Sequence, residues 1–225
     1  RRHEYVRQLL AGRQPSGEVE LGYDLDGHHL GLMAKGEGTR EAMRELAKRL
    51  GRRLLAERSE EEPAWTCWLG GRQPLAAEEA LRALGEVSLD GVVVALGEPG
   101  EGISGWRLSH RQAKAALAIA ERRGLTVLRY VDVAVLISIL RDDLGTTSLR
   151  QLYLEPLERG RDGGKAVRET LRAYFATKRN ITSTAAALGV DRRTVANRIR
   201  AVEELFGRPL EDFATDLEVA LRLTD

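Results

Sequence analysis

Apolar residues recur at Val195, Ile199, Val202 and Phe206, the three-and-four spacing that lines one face of a helix. The same period runs through Ala113, Ala116, Leu117 and Ala120, in a helix that Ser109 can cap and Gly124 can close. It also runs through Ala42, Met43, Leu46, Ala47, Leu50, Leu54 and Leu55, after Gly36-Glu37-Gly38 and with Thr39 as the cap. Strands are predicted where apolar residues alternate or run on: His28–Ala34, Trp65–Leu69, the valine-rich Gly91–Leu96, and Leu125–Tyr130. Helices are predicted at Arg2–Leu10, ended by Gly12 and Pro15, at Ala76–Leu84, and at Val133–Leu140, stopped near Gly145. A further helical turn is predicted at Glu18–Tyr23, and a solvent loop at Glu60-Glu61-Glu62-Pro63. Strands and helices alternate over roughly residues 16–142, which predicts an α/β or α+β domain.

Beyond Gly145 the pattern turns purely helical. A helix over Ser148–Leu157 leads to Arg159-Gly160-Arg161-Asp162-Gly163-Gly164, the best linker in the chain. Four helices follow, at Ala166–Thr177, Thr182–Leu188, Arg192–Phe206 and Ala214–Leu223. A domain boundary is placed near this linker.

At 225 residues and 43% hydrophobic, the chain is one large domain or two small ones, and too apolar to be disordered. The longest apolar run, Val131–Leu140, is interrupted by Asp132 and falls short of the ~20 residues a bilayer span needs, so a membrane-spanning reading is excluded. Cys67 is the single cysteine, so no intrachain disulfide exists, which is compatible with a reducing cytoplasm. The chain begins at Arg1 without a signal peptide and is expected to be part of a longer protein.

Net charge is only +1, yet Lys165–Arg208 holds ten basic residues against four acidic ones. A basic island in a near-neutral chain suggests a polyanion partner; a solvated helix surface is the plain alternative. Within the island, Thr182 or Ser183 can cap a short helix carrying Ala185, Ala186, Ala187 and Leu188. Gly189-Val190 makes a tight turn, and Asp191 can cap the helix that follows. This is a helix-turn-helix arrangement. The second helix leaves Arg192, Arg193, Ala196, Asn197 and Arg200 on its outer face. Arginine and asparagine make bidentate contacts to guanine and adenine edges in the major groove. Arg192, Arg193, Asn197 and Arg200 are therefore candidates for base contacts, and Thr182, Thr184, Thr194, Arg198, Lys178 and Arg179 for phosphate contacts.

A second motif, Gly100-Glu101-Gly102-Ile103-Ser104-Gly105, fits G-x-G-x-x-G between a predicted strand and a predicted helix. It makes a nucleotide-binding enzyme the rival reading. Glu98 and Glu101 would oppose a pyrophosphate there, and a plain strand-to-helix turn is preferred. His28 and His29 lie near Asp24 and Asp26, but adjacent residues on a strand point to opposite faces, so a metal site is not expected. His110 is expected to cap or line a surface, and Trp65 and Trp68 to lie in a core or interface.

The stretch Leu188-Gly189-Val190-Asp191-Arg192-Arg193-Thr194-Val195-Ala196-Asn197-Arg198-Ile199 resembles the C-terminal helix-turn-helix of the PucR/CdaR transcriptional regulators. So do Glu169–Phe175 before it, and Leu205–Leu210 and Asp216–Leu221 after it. Upstream, Leu21–Leu25 with His29-Leu30, Ala95-Leu96-Gly97, and Gly105–Ala113 resemble the GGDEF-like domain of the same family. The family usually has His-x-Asn-Thr where this chain has Asp191-Arg192-Arg193-Thr194, and an aromatic residue where it has Asn197; Thr194 and Arg198 keep their places.

The resemblance implies an α+β fold: a degenerate GGDEF-like domain, ferredoxin-like and cyclase-type, followed by an all-α helix-turn-helix domain. The expected boundaries are a helical remnant of an upstream region over 1–15, the GGDEF-like domain over 16–145, a helical linker over 146–164 and the DNA-binding domain over 165–225. A bacterial, cytoplasmic transcription factor is implied, binding double-stranded DNA as a homodimer or larger assembly, with a small-molecule effector acting through an absent N-terminal region. No Gly-Gly-Asp/Glu-Glu-Phe sequence occurs, and metal-assisted phosphoryl chemistry needs carboxylates at the metal, so no cyclase activity, metal or cofactor is expected.

Overall fold

A computed structural model describes residues 2–15, 19–58, 63–160 and 164–224. The chain forms two compact units, Arg1–Ala134 and Val135–Asp225.

In the first unit the elements run α1 (Arg2–Leu10), β1 (His28–Lys35), α2 (Thr39–Arg49), β2 (Arg53–Arg58), β3 (Trp65–Gly71), α3 (Ala77–Leu84), β4 (Val93–Leu96), β5 (Gly100–Glu101), α4 (Gly102–Arg123) and β6 (Val127–Arg129). The sheet order is β2-β3-β1-β4-β6, with β5 beside β1. Pairing is antiparallel except β4 with β6. The first four long strands therefore follow the order of a ferredoxin-like sheet, in which β1 and β2 flank β3 and α2 crosses between them.

Strand alternation divides the core. Leu30, Leu32 and Ala34 of β1, Cys67 and Leu69 of β3, and Val94 and Leu96 of β4 gather with Ala42, Met43 and Leu46 of α2 and Ala80 and Leu84 of α3. On the opposite face Leu55 and Trp68 pack with Val6 and Leu9 of α1 and Trp106 of α4. The Trp68 and Trp106 rings stack at 4.2 Å, and the Trp68 indole N–H donates to the Trp106 carbonyl at 3.1 Å.

Several sequence expectations are corrected. The helix after Thr39 ends at Arg49, because Gly51 turns the chain at φ 60° and Leu54 and Leu55 enter β2. Gly38, not Thr39, occupies the capping position; the Thr39 hydroxyl donates to the Gly36 carbonyl at 2.8 Å. Residues 19–23 are irregular, with a bend at Gly22 and Tyr23, rather than a helical turn, and Glu18 lies outside the described residues, as do the loop residues 60–62. The helix expected to open at Ser109 begins at Gly102, placing Ser109 inside it and buried.

The second unit begins in α5 (Ala134–Leu140). Asp142 then caps α6 (Asp143–Leu149), accepting the Leu144 N–H at 3.1 Å, so a helix runs through Gly145 rather than stopping there. A π-helical turn (Arg150–Leu154) and α7 (Glu155–Glu158) continue it. Then follow α8 (Lys165–Ala176), α9 (Ile181–Leu188), α10 (Arg192–Phe206) and α11 (Ala214–Arg222). Tyr153, Leu154 and Leu157, from the segment expected as a linker, sit in one core with Leu171, Ala185, Val195, Ile199, Val202, Phe213 and Leu217.

Candidate nucleic-acid interface

The turn between α8 and α9 is built by polar residues. Asn180 caps α9, its Oδ1 accepting the Ser183 N–H at 2.9 Å. Neither Thr182 nor Ser183, the expected caps, takes that role. Asparagine three residues before Ser183 was the available signal, since its short amide reaches the third N–H of the helix. The Thr184 hydroxyl donates to the Asn180 carbonyl at 2.7 Å and meets the Thr177 hydroxyl at 2.7 Å.

Just before the cap, Lys178 and Arg179 both adopt left-handed backbone conformations, at φ 54° and 62°. Such a residue other than glycine costs on the order of 1–3 kcal/mol and persists where its surroundings hold it. Here the Arg179 N–H is held by the Tyr174 carbonyl at 2.7 Å and the Lys178 N–H by the Phe175 carbonyl at 3.1 Å. Both side chains are exposed, beside the N-terminal end of α9, where free N–H groups favour anions.

Gly189 takes φ 64° and closes α9, and the Val190 N–H returns to the Ala185 carbonyl at 3.0 Å. Asp191 stands at the N-terminal cap position of α10 but makes no side-chain cap bond; its carbonyl accepts the Thr194 N–H at 2.9 Å. Val195, Ile199 and Val202 bury one face of α10. Arg193, Asn197 and Arg200 are exposed on the other, within two and a half turns of its N-terminus, and Arg192, in register with the buried stripe, is exposed because it is the first residue of the helix.

Two of the ten candidates are placed elsewhere. Thr184 is fully buried at 0% exposure with its hydroxyl already bonded, so it is corrected from a phosphate contact to a packing residue. Arg198 turns back from the exposed face, its Nη1 donating to the buried Thr170 hydroxyl at 2.9 Å and tying α10 to α8. Thr194 is half-buried, and Thr182 is exposed with Lys178 and Arg179.

The glycine motif of the first unit is closed by packing. A Cβ on Gly100 would meet Gly105 Cα at 2.6 Å, and one on Gly105 would meet the Gly100 carbonyl carbon at 2.6 Å. The two glycines let β5 lie against the start of α4 and leave no cradle between them for a phosphate. Glu98, read as opposing a phosphate, instead accepts from Arg129 through Nη2 at 2.6 Å and Nε at 3.1 Å.

His29 is also absorbed. Its Nε2 lies 3.0 Å from the Leu25 carbonyl, which can only accept, so Nε2 carries the proton and Nδ1 accepts the Tyr23 hydroxyl at 2.8 Å. Burial holds its pKa below the usual histidine value and pushes the Tyr23 phenol up. Among the described residues no group of three or more His, Cys, Asp or Glu gathers as a metal site, and no helix is long and apolar enough to cross a membrane.

A helix-turn-helix with an arginine-rich exposed face on its second helix is the architecture of a DNA-binding protein. The family model of the PucR C-terminal helix-turn-helix domain matches residues 167–223, and that of the GGDEF-like domain matches residues 18–119. With these two domains the chain belongs to the PucR/CdaR-type regulators and is a DNA-binding transcriptional regulator. The crystal structure of a regulator of polyketide synthase expression from Bifidobacterium adolescentis aligns at 19% identity and a TM-score of 0.48, over 100% of this chain and 93% of that one. No curated protein matches the chain.

Proposed function

We propose that α10 reads operator DNA in the major groove through Arg192, Arg193, Asn197 and Arg200, while Lys178, Arg179, Thr182 and Thr194 hold phosphates and set the register. One observation carries this reading. Arg193, Asn197 and Arg200 are exposed together on one face of α10 with Arg192 exposed at its first residue, while Val195, Ile199 and Val202 fix the helix against the core. The protein works as a homodimer or larger assembly in the cytoplasm of a bacterium, where two copies present two recognition helices to neighbouring half-sites about 34 Å apart. The GGDEF-like domain is a non-catalytic regulatory and dimerisation domain, and a small-molecule effector acts through a region upstream. The packed Gly100–Gly105 pair supports a non-enzymatic role.

The test is selection of bound sequences from a random duplex library. A two-fold symmetric consensus is expected, and recovery of no sequence above background overturns the assignment of α10 as the reader. Incubation with GTP and Mn²⁺ is expected to yield no cyclic dinucleotide; product above a protein-free control would restore an enzymatic reading.

A further inference from the structure

The first unit holds a cleft of about 350 Å³ between α1 and α4, with the sheet as its floor. Glu57, Thr66 and Met33 form one row across three neighbouring strands, Glu57 opposite Thr66 and Thr66 opposite Met33. They point away from the α2 and α3 core, because their strand neighbours Ala56, Cys67, Leu32 and Ala34 fill it. Val6 and Leu10 of α1 form one wall, and His110 and Lys114 of α4 the other. The α1 wall is fixed in place: Arg2 pairs with Glu57 at 2.8 Å, and Arg107 Nε donates to the Leu9 carbonyl at 2.6 Å.

Two polar groups inside the cleft lack good partners. Among the described residues no hydrogen bond reaches either ring nitrogen of His110, which lies against Trp68 at 5.4 Å between ring centres. Burial pushes its imidazole down to about 4, so near neutral pH the ring is uncharged, one nitrogen donating and the other accepting. Thr66, only 7% exposed, donates its hydroxyl to the Met33 sulfur at 3.3 Å, a weak acceptor that a ligand oxygen would outcompete. At the mouth stand Arg7, which pairs with Glu4 at 2.7 Å, Arg58 and Lys114, against the single lining carboxylate of Glu57, itself paired with Arg2. The lining thus has a neutral polar floor, an apolar wall and a cationic rim, the composition of a small-ligand site.

We infer that this cleft binds a small monocarboxylic acid with an apolar body and a hydroxyl at its far end. The carboxylate sits among the rim cations, the body lies on Val6, Leu10 and Met33, and the hydroxyl reaches His110 and Thr66. Because α1 is one wall, an occupied cleft ties α1 to the sheet and α4, and the ligand favours the docked position of α1.

The experiment is calorimetric titration of the full chain, without DNA, with 3-(4-hydroxyphenyl)propionate and 4-hydroxybenzoate as probes. Omitting DNA separates this result from the operator reading, on which it does not rest. Saturable binding at one site per chain is expected, together with slowed amide exchange in α1. Loss of the hydroxyl in 3-phenylpropionate, or of the carboxylate in 2-(4-hydroxyphenyl)ethanol, is expected to weaken binding about tenfold, which is 1.4 kcal/mol. Arg58→Gln, at an exposed position that leaves the fold intact, and His110→Phe are each expected to weaken it by about the same factor. The inference is overturned if neither acid saturates below roughly 10 mM, a free energy near −3 kcal/mol. It is also overturned if Arg58→Gln binds as tightly as the parent, or if the probes lacking one group bind as well as the acids.

Discussion

The hydroxyl of Ser109 accepts the backbone N–H of Gly31 at 2.7 Å, across 78 positions of sequence. Gly31 lies in β1 where the ladder to β5 has ended, at His29 with Gly100, and the ladder to β4 has not begun, at Leu32 with Leu96. Ser109 supplies the acceptor that no strand provides. The α4 backbone comes so close that a Cβ on Gly31 would meet the His110 backbone nitrogen at 2.7 Å, and one on Gly97 would meet the Ser109 carbonyl oxygen at 2.0 Å. Glycine on the sheet and serine on the helix together set the distance between them.

This contact predicts a split between two variants. Ser109→Ala leaves a buried N–H without a partner and is expected to cost about 1–3 kcal/mol. Gly31→Ala forces α4 backbone away from the sheet and is expected to cost at least ~2 kcal/mol, since the clashing atoms cannot rotate aside. Urea unfolding followed by tryptophan fluorescence reads both, through Trp68 and Trp106 on the same face.

Arg193 and Asn197 are four apart on α10, so both lie on one exposed face of the helix. Arg193→Ala or Asn197→Ala is expected to lower preference for a selected operator by about 1–3 kcal/mol while sparing non-specific binding. Lys178→Ala is expected to weaken all sequences alike and to reduce the slope of log K against log salt by about 0.9. Competition between selected and scrambled duplexes at several salt concentrations separates the two. If both α10 variants keep the parent ratio, the helix is not the reader.

The backbone at Arg179 opposes stability to binding. Arg179→Gly removes the left-handed strain at φ 62° and is expected to raise stability by roughly 0.5–1 kcal/mol, net of glycine's greater chain entropy. The same change deletes an exposed cation beside α9 and should weaken DNA. A stabilised variant with unchanged affinity would remove Arg179 from the interface.

The buried histidine gives a pH dependence with a defined sign. His110 is held down to about 4 from an ordinary 6.5, so between those values the unfolded chain binds a proton that the folded chain refuses. Stability contributed by the neutral ring is complete above pH 6.5 and falls as the pH drops toward 4. One histidine with such a gap contributes at most ~3 kcal/mol across the window. Urea midpoints between pH 7 and pH 4.5 should fall more steeply for the parent than for His110→Phe; parallel profiles would show that the ring is not shielded.

The helix-turn-helix was legible because its determinants are local. Val195, Ile199 and Val202 set the buried stripe of α10 by period alone, and Gly189 marked the turn because only glycine enters the left-handed region without strain. Which of the neighbouring polar side chains stay exposed was not local. Thr184 and Arg198 sit within two residues of the exposed candidates Thr182 and Asn197, and packing against Thr177 and Thr170 withdrew them.

In the first unit the sequence by itself determined the order of most elements and the sides of their apolar stripes, since helix and strand periods are properties of a short window. Tertiary structure alone decided that Leu54 and Leu55 join a strand, because pairing with Leu69 and Trp68 outweighs a helical spacing that continues past Gly51. It alone decided that Gly100 and Gly105 touch each other instead of a phosphate, and that Gly31 lies against Ser109. A glycine reads in sequence as freedom of the backbone; whether that freedom serves a turn, a ligand or the close approach of a second element depends on which chain segment arrives opposite it, and that segment is distant in sequence.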